Sequence, residues 1–264
     1  MRTLTLATGP VHLDEDGEAL RRRLALRLVD ALRRPVAVVA TRTYAELAER
    51  LERGEAQLAW MPPAVFVRAE ARVRLQLLAA IDRARGEGYR GALFVPADSA
   101  AQSPADLRQQ RVAWVDPDSC AGHLFVRLAL LERGLSASEL FREERFAGSH
   151  GSAVRAVMRG EADAGATHAQ LGPDGAILLA GWQAYAGRDA MRALLITNPI
   201  PADVICASPA LGADLLDDVR EAILHLHEDG GDELLDELFG GPRLVPASTA
   251  QYDPVRSALK LSAP

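Results

Sequence analysis

The residues best placed to do chemistry lie in the run Arg111-Val-Ala-Trp-Val-Asp-Pro-Asp-Ser-Cys-Ala-Gly-His123. An apolar stretch ends, small hydroxyl-bearing and glycine residues follow, and a helical pattern begins. The leading N–H groups of a helix have no partner within it, and its dipole puts positive charge at the same end. A strand–turn–helix of small residues therefore suits an anion, and Ser119 adds a hydroxyl donor. A second run, Ala147-Gly-Ser-His-Gly-Ser152, has the same design. Ser149 is a candidate N-cap there, and His150 could donate to a phosphate-like oxygen. Both runs also admit a purely structural reading in which Asp118, Ser119 and His150 only serve the helix starts.

Other chemistries find less support. There is no Gly-x-Ser-x-Gly elbow, and no serine and histidine are joined to a third group by their spacing. Cys120 near a helix start could have a lowered thiol pKa, but no base is positioned beside it. The six histidines are scattered, and His225 and His227, two apart, do not share a helix face. Walker and dinucleotide glycine patterns are missing. Cys120 and Cys206 show no metal or redox spacing, and sequence alone cannot pair them. Neither a metal nor a cofactor is expected.

The elements that must position these residues alternate between strand and helix, which argues for α/β with mainly parallel sheets. Strands are expected at 3–7, 36–40, 57–60, 92–96, 111–115, 162–167 and 193–197. Helices are expected at 18–34, 44–53, 103–108, from Gly122 through Arg133, and over 149–159, 213–227 and 231–239, with a last one from Asp253. Gly54 and Gly160 stand where helix C-caps belong. Pro62-Pro63 ends the third strand.

Composition narrows the class of protein. At 264 residues, 48% hydrophobic and 25% charged, the chain is an ordinary globular one, long enough for two lobes. A net charge of −6 is a poor match to nucleic acid. No apolar run approaches the ~18–20 residues of a membrane span. Of the 30 basic residues only Lys260 is lysine, a bias that accompanies heavy Ala, Gly and Leu usage and reads as genome composition. Met1-Arg2 leads straight into a strand-like pattern with no long apolar leader, so a cytoplasmic location is expected if Met1 is the native start.

An ordered set of motifs along nearly the whole chain resembles the phosphonate and phosphate substrate-binding proteins of ABC importers, within the type-2 periplasmic binding protein superfamily. They run from Tyr44-Ala-Glu-Leu-Ala-Glu-Arg-Leu51, Gly54-Glu-Ala-Gln-Leu-Ala-Trp60 and Met61-Pro-Pro-Ala-Val-Phe66 to Gly88-Tyr89 and Ser103-Pro-Ala-Asp-Leu107. Val112 to Ser119, Gly148-Ser-His150, Ala156 to Thr167, Pro199-Ile-Pro-Ala-Asp203, Val245-Pro-Ala-Ser248 and Tyr252-Asp-Pro-Val-Arg256 complete the set.

The resemblance implies two α/β lobes, 1–90 plus 198–264 and 91–197, joined by two crossover strands and closing on an anion. It implies that Ser119, Cys120 and Ala121 hold the phosphonate oxygens. His150 matches the family's contact histidine, Tyr44 and Tyr89 its contact tyrosines. Asp203 matches an acidic residue facing the amino group of aminoalkylphosphonates. Four positions depart from the pattern: Cys120 stands for threonine, His123 and Phe66 for tyrosines, and Pro62 for glycine. The expected protein is a non-catalytic, monomeric, periplasmic solute-binding component that works with an ABC permease. A leaderless sensor reporting to a signalling partner and a cytoplasmic biosynthetic enzyme are the alternatives on the same fold.

Overall fold

The computed structural model describes residues 3–9, 14–83 and 88–262. In chain order the elements begin with β1 (Leu4–Thr8), α1 (Glu15–Leu32), β2 (Val36–Ala40), α2 (Tyr44–Glu52), β3 (Leu58–Met61), α3 (Pro63–Glu70) and β4 (Gln76–Asp82). There follow β5 (Tyr89–Pro96), β6 (Gln110–Trp114), and a π-helical turn, Cys120–Leu124, that runs into α4 (Phe125–Leu131). Next are α5 (Ala137–Leu140), β7 (Phe141–Phe146), α6 (His150–Met158), β8 (Ala164–Leu171), β9 (Ile177–Ala180), α7 (Gln183–Ala186) and β10 (Met191–Ile196). The chain closes with β11 (Val204–Ala207), α8 (Ala213–Leu224), α9 (Gly231–Phe239), β12 (Arg243–Val245) and α10 (Asp253–Ser262).

Two compact units result, Met1–Ala84 with Ala202–Tyr252 and Arg85–Pro201 with Asp253–Pro264. Helix α10 belongs to the second unit, whereas the sequence reading assigns the whole C-terminal segment to the first. Each unit has its own sheet, ordered β12-β4-β11-β3-β1-β2 in the first and β10-β5-β8-β6-β7 in the second, with β9 added to β8.

The sheets are mixed, not mainly parallel. In the first, β1, β2 and β3 run parallel, while β11 is antiparallel to both β3 and β4. In the second, β6, β7 and β8 run parallel, β5 is antiparallel to β8, and β10, antiparallel to β5, returns to the direction of β8. Helical crossovers keep successive strands parallel. The strand that enters a unit from the other one is under no such constraint, and β5 and β11 reverse direction.

Period-two alternation gives the second sheet two buried faces. Leu93, Val95, Val112 and Trp114 meet Val126 and Leu130 of α4 on one face. Phe94, Ala113 and Val115 meet Val154 and Val157 of α6 on the other. In the first unit, Leu4, Leu6, Leu58, Trp60 and Ile205 pack with Leu24 and Leu28 of α1 and with the apolar stripes of α8 and α9. Burial of this kind supplies the main driving force for each unit and fixes its strand ends rigidly.

Candidate functional site

Because β6, β7 and β8 are parallel, their carboxyl ends share one edge of the second sheet. Strand β5 is antiparallel and starts at that edge, with Gly91 opposite His168 and Tyr89 opposite Gln170. Four segments therefore gather there: the turn after β6, the start of α6 after β7, Thr167-His168 of β8, and Tyr89–Gly91 of β5. This is the edge at which open α/β sheets collect ligands.

The turn after β6 is built for close approach. Ser119 is its N-cap, in extended backbone, and its Oγ accepts the Gly122 N–H at 3.0 Å. The Leu124 N–H reaches five residues back to the Ser119 carbonyl at 3.0 Å, which widens the first turn into a π geometry. The Val115 N–H donates to the Gly122 carbonyl at 3.1 Å and holds the turn to the end of β6. Strand β5 then passes so near that a Cβ on Gly91 would lie 2.7 Å from the Ala121 carbonyl oxygen. Ser119 is half-buried, and Cys120 and Ala121 are buried. The Ser119 hydroxyl, having used a lone pair on the cap, keeps its proton to donate.

The start of α6 is pinned to the same strand. The Ala147 and Gly148 N–H groups donate to the Trp114 and Val115 carbonyls, both at 2.8 Å. Ser149 caps α6 by accepting the Ser152 N–H at 3.1 Å. Both capped helix starts are thus tied to the end of β6.

His150 opens α6, and its Nδ1 shares a hydrogen bond with Thr167 Oγ1 at 3.0 Å. Its ring stands edge-on to that of His168, with centroids 4.9 Å apart. His168 in turn stacks on Tyr89 at 5.7 Å and 19°. Burial, and secondarily the neighbouring His168, hold the His150 imidazole down at about 4. At neutral pH it is an uncharged ring that can donate one hydrogen bond. Tyr89, Ser119, Cys120, Ala121 and His150 therefore lie in one unit, on segments that meet at one sheet edge.

Tyr44 and Asp203 lie in the first unit. Thr43 caps α2 by accepting the Glu46 N–H at 3.1 Å, and Tyr44 follows as the first helical residue. Its ring covers Gly9 so closely that a Cβ there would be 2.2 Å from Cε1. Asp203 precedes β11, and its carboxylate is bonded by Arg83, which follows β4. The sequence reading faces this carboxylate toward the amino group of a ligand; in the structure its Oδ2 pairs with Arg83. Burial pushes the Asp203 carboxyl up, and Arg83 offsets part of that rise. Burial and the same carboxylate also raise the Tyr252 phenol, whose hydroxyl donates to the Ala202 carbonyl at 2.9 Å.

His123 turns inward. Its ring packs edge-on against Trp114 and Phe146, its Nδ1 donates to the Pro117 carbonyl at 3.0 Å, and burial lowers its pKa. Cys120 and Cys206 are buried and not joined in a disulfide, and burial pushes the Cys206 thiol up to about 12. No group of three or more His, Cys, Asp or Glu suited to a metal ion is found among the described residues. None of their helices is long and apolar enough to cross a membrane.

Sequence reasoning misses Thr167, His168 and Arg83. Thr167 and His168 follow His150 by 17 and 18 residues, a spacing without a pattern, and only the pairing of β8 brings them back to it.

Two mixed α/β units with paired, capped helix starts at a sheet's carboxyl edge define the class of type-2 periplasmic binding proteins. The chain belongs to the family described as ABC transporter, phosphonate, periplasmic substrate-binding protein, whose model matches residues 7–252. It is 27% identical over 275 residues to the phosphate-import protein PhnD of Mycolicibacterium smegmatis, covering 96% of this chain and 84% of that protein. Its fold is similar to that of PhnD1 from Prochlorococcus marinus in complex with methylphosphonate, at a TM-score of 0.74 and 18% identity, covering 98% and 97% of the two chains. XAC2383 from Xanthomonas citri, bound to ATP, is similar at a TM-score of 0.80 and 17% identity, covering 99% and 97%. The family is thus one of transport substrate-binding proteins, and the M. smegmatis relative is named for phosphate import.

Proposed function

We propose that this protein binds a small tetrahedral oxyanion, inorganic phosphate or a simple alkylphosphonate, as the solute-binding component of an ABC importer outside the cytoplasmic membrane. The observation that carries this reading is the convergence of two capped helix starts on the end of β6. Ser119 and the Ala121 N–H donate from one, His150 donates from the other, and Tyr89 closes the side. Buried Cys120 shapes the turn without the second hydroxyl that the family's usual threonine would supply. In the first unit Tyr44 is the proposed contact. Asp203 is left out of the ligand set because Arg83 occupies its carboxylate, so ligands without an ammonium group are favoured. The names of the M. smegmatis and P. marinus relatives, phosphate import and methylphosphonate, support the same ligand class. A permease is the partner that takes the solute onward.

The test is a thermal-shift panel of oxyanions: phosphate, methylphosphonate, aminomethylphosphonate, sulfate and methanesulfonate. A ligand at 100 times its Kd stabilises the folded state by about 2.7 kcal/mol. Phosphate or methylphosphonate should raise Tm most, and a flat response across the panel would overturn the reading.

A further inference from the structure

His168 has no role in anything derived so far, yet it stands between two proposed ligand contacts. Its ring lies flat against Tyr89 and edge-on to His150. Its backbone is fixed on both sides: it pairs with Gly91, and its carbonyl accepts the Gly181 N–H at 2.9 Å. A Cβ on Gly181 would come within 2.9 Å of the His168 ring, so the imidazole is confined from that side as well. A ring held this firmly between Tyr89 and His150 has its orientation set before any ligand arrives.

The titratable and charged groups on the surrounding elements are few. Strand β5 contributes Tyr89 and Arg90, the latter donating to the Thr197 carbonyl at 2.9 Å. Helix α6 contributes His150 and Arg155, and the Arg155 guanidinium lies over the Tyr185 ring of α7. The π-helical turn contributes Cys120 and the inward-turned His123. The same turn after β6 carries Asp116 and Asp118, the Asp118 N–H donating to Asp116 Oδ1 at 2.8 Å, while β5 and α6 bring no carboxylate to this edge. Two imidazolium rings 4.9 Å apart would repel each other, which disfavours charge on both while the site is empty. A dianion lying against both rings replaces that repulsion with attraction.

We propose that His168 is a second ligand-positioning imidazole, and that the His150–His168 pair takes up a proton when a dianionic oxyanion binds. This rests on the oxyanion reading above and adds to it a residue and a proton linkage. A merely structural His168, present to stack on Tyr89, would move neither the proton count nor the preference for dianions.

The experiment is calorimetric titration of the full chain with inorganic phosphate in buffers of different ionisation enthalpy, for wild type, His168→Gln and His168→Phe. Titrating at a pH well above the second ionisation of phosphate, where the free ligand is already the dianion, keeps its own protons out of the comparison. Thermal melts establish that each variant is folded; the phenylalanine keeps the stack, and the glutamine keeps a neutral donor. Wild type should take up more protons than either variant. His168→Phe should bind phosphate about 10- to 100-fold more weakly, the range for loss of a hydrogen bond to a charged group, and His168→Gln should recover part of the affinity without the proton. Equal affinity and equal proton uptake in all three chains would overturn this proposal while leaving the oxyanion reading intact. Binding of neither phosphate nor methylphosphonate by wild type would overturn both.

Discussion

Replacing Asp203 by asparagine separates a structural carboxylate from one that reads the ligand. Asp203 and Arg83 form an ion pair with side-chain exposures of 11% and 18%. Burial raises the Asp203 carboxyl, and a carboxyl raised in the folded state stabilises below its unfolded value and loses that contribution as pH rises. Near neutral pH Arg83 therefore offsets only part of the cost of burying the carboxylate. Removing one partner is still costly, because the other charge stays behind. Breaking a buried pair costs ~3–5 kcal/mol, and an asparagine that keeps one acceptor for Arg83 puts Asp203→Asn at about 2–3 kcal/mol. For a chain of this size that corresponds to a Tm lower by about 5–10 °C, measured by scanning calorimetry. The double variant Asp203→Leu with Arg83→Met should regain most of the loss, since apolar replacement of a buried pair is often neutral. Titration of Asp203→Asn with methylphosphonate and aminomethylphosphonate should show the two affinities changed alike. The reasoning is refuted if stability stays within about 0.5 kcal/mol of wild type, the scale of ordinary surface changes, while the amino ligand alone is weakened tenfold.

Ser119→Ala removes both a cap and a proposed donor, so it should cost about 1 kcal/mol of stability and weaken phosphate binding by ~1–3 kcal/mol; unchanged affinity in calorimetry would leave Ser119 as a cap only. His150 is held at about 4 against an ordinary 6.5, so the unfolded chain takes up the proton first. Stability should be level above about pH 6.5 and fall by about 3 kcal/mol toward pH 4, and denaturant titrations of His150→Gln should show that much less acid sensitivity. Gly91→Ala drives a methyl onto the Ala121 carbonyl and should lower stability by ~1–3 kcal/mol through overpacking; a melt indistinguishable from wild type would show that β5 can yield at this point.

Local signals made the two helix starts legible. Ser119 and Ser149 stand where small polar residues precede apolar periodicity, and both cap the helices they announce. Helix α9, with its leucine stripe at helical spacing, falls at Gly231–Phe239 as read. The stretch from Pro63 to Asp82 was opaque. Pro62-Pro63 reads as the end of a strand, yet Pro63 also opens α3, where its missing N–H costs nothing. Strand β7, Phe141–Phe146, carries the sequence Phe-Arg-Glu-Glu-Arg-Phe, too charged to suggest a strand. Its pairing with β6 and the partners of its charges, Arg127 on Glu144 and Glu161 on Arg145, come from elsewhere in the chain. The same holds for the site. Ser119 and His150 announce themselves locally, whereas the partners Thr167, His168 and Arg83 are fixed by strand register and have no motif of their own.

The central claim is that an oxyanion sits on the two helix starts of the second unit, and amide NMR of the isotope-labelled chain during titration with inorganic phosphate and methylphosphonate tests it most directly. The account predicts saturable shifts concentrated at Ser119–Gly122 and His150–Ser152, with the His150 and His168 ring signals moving in step. Saturable binding that leaves these amides in place while others shift would contradict it.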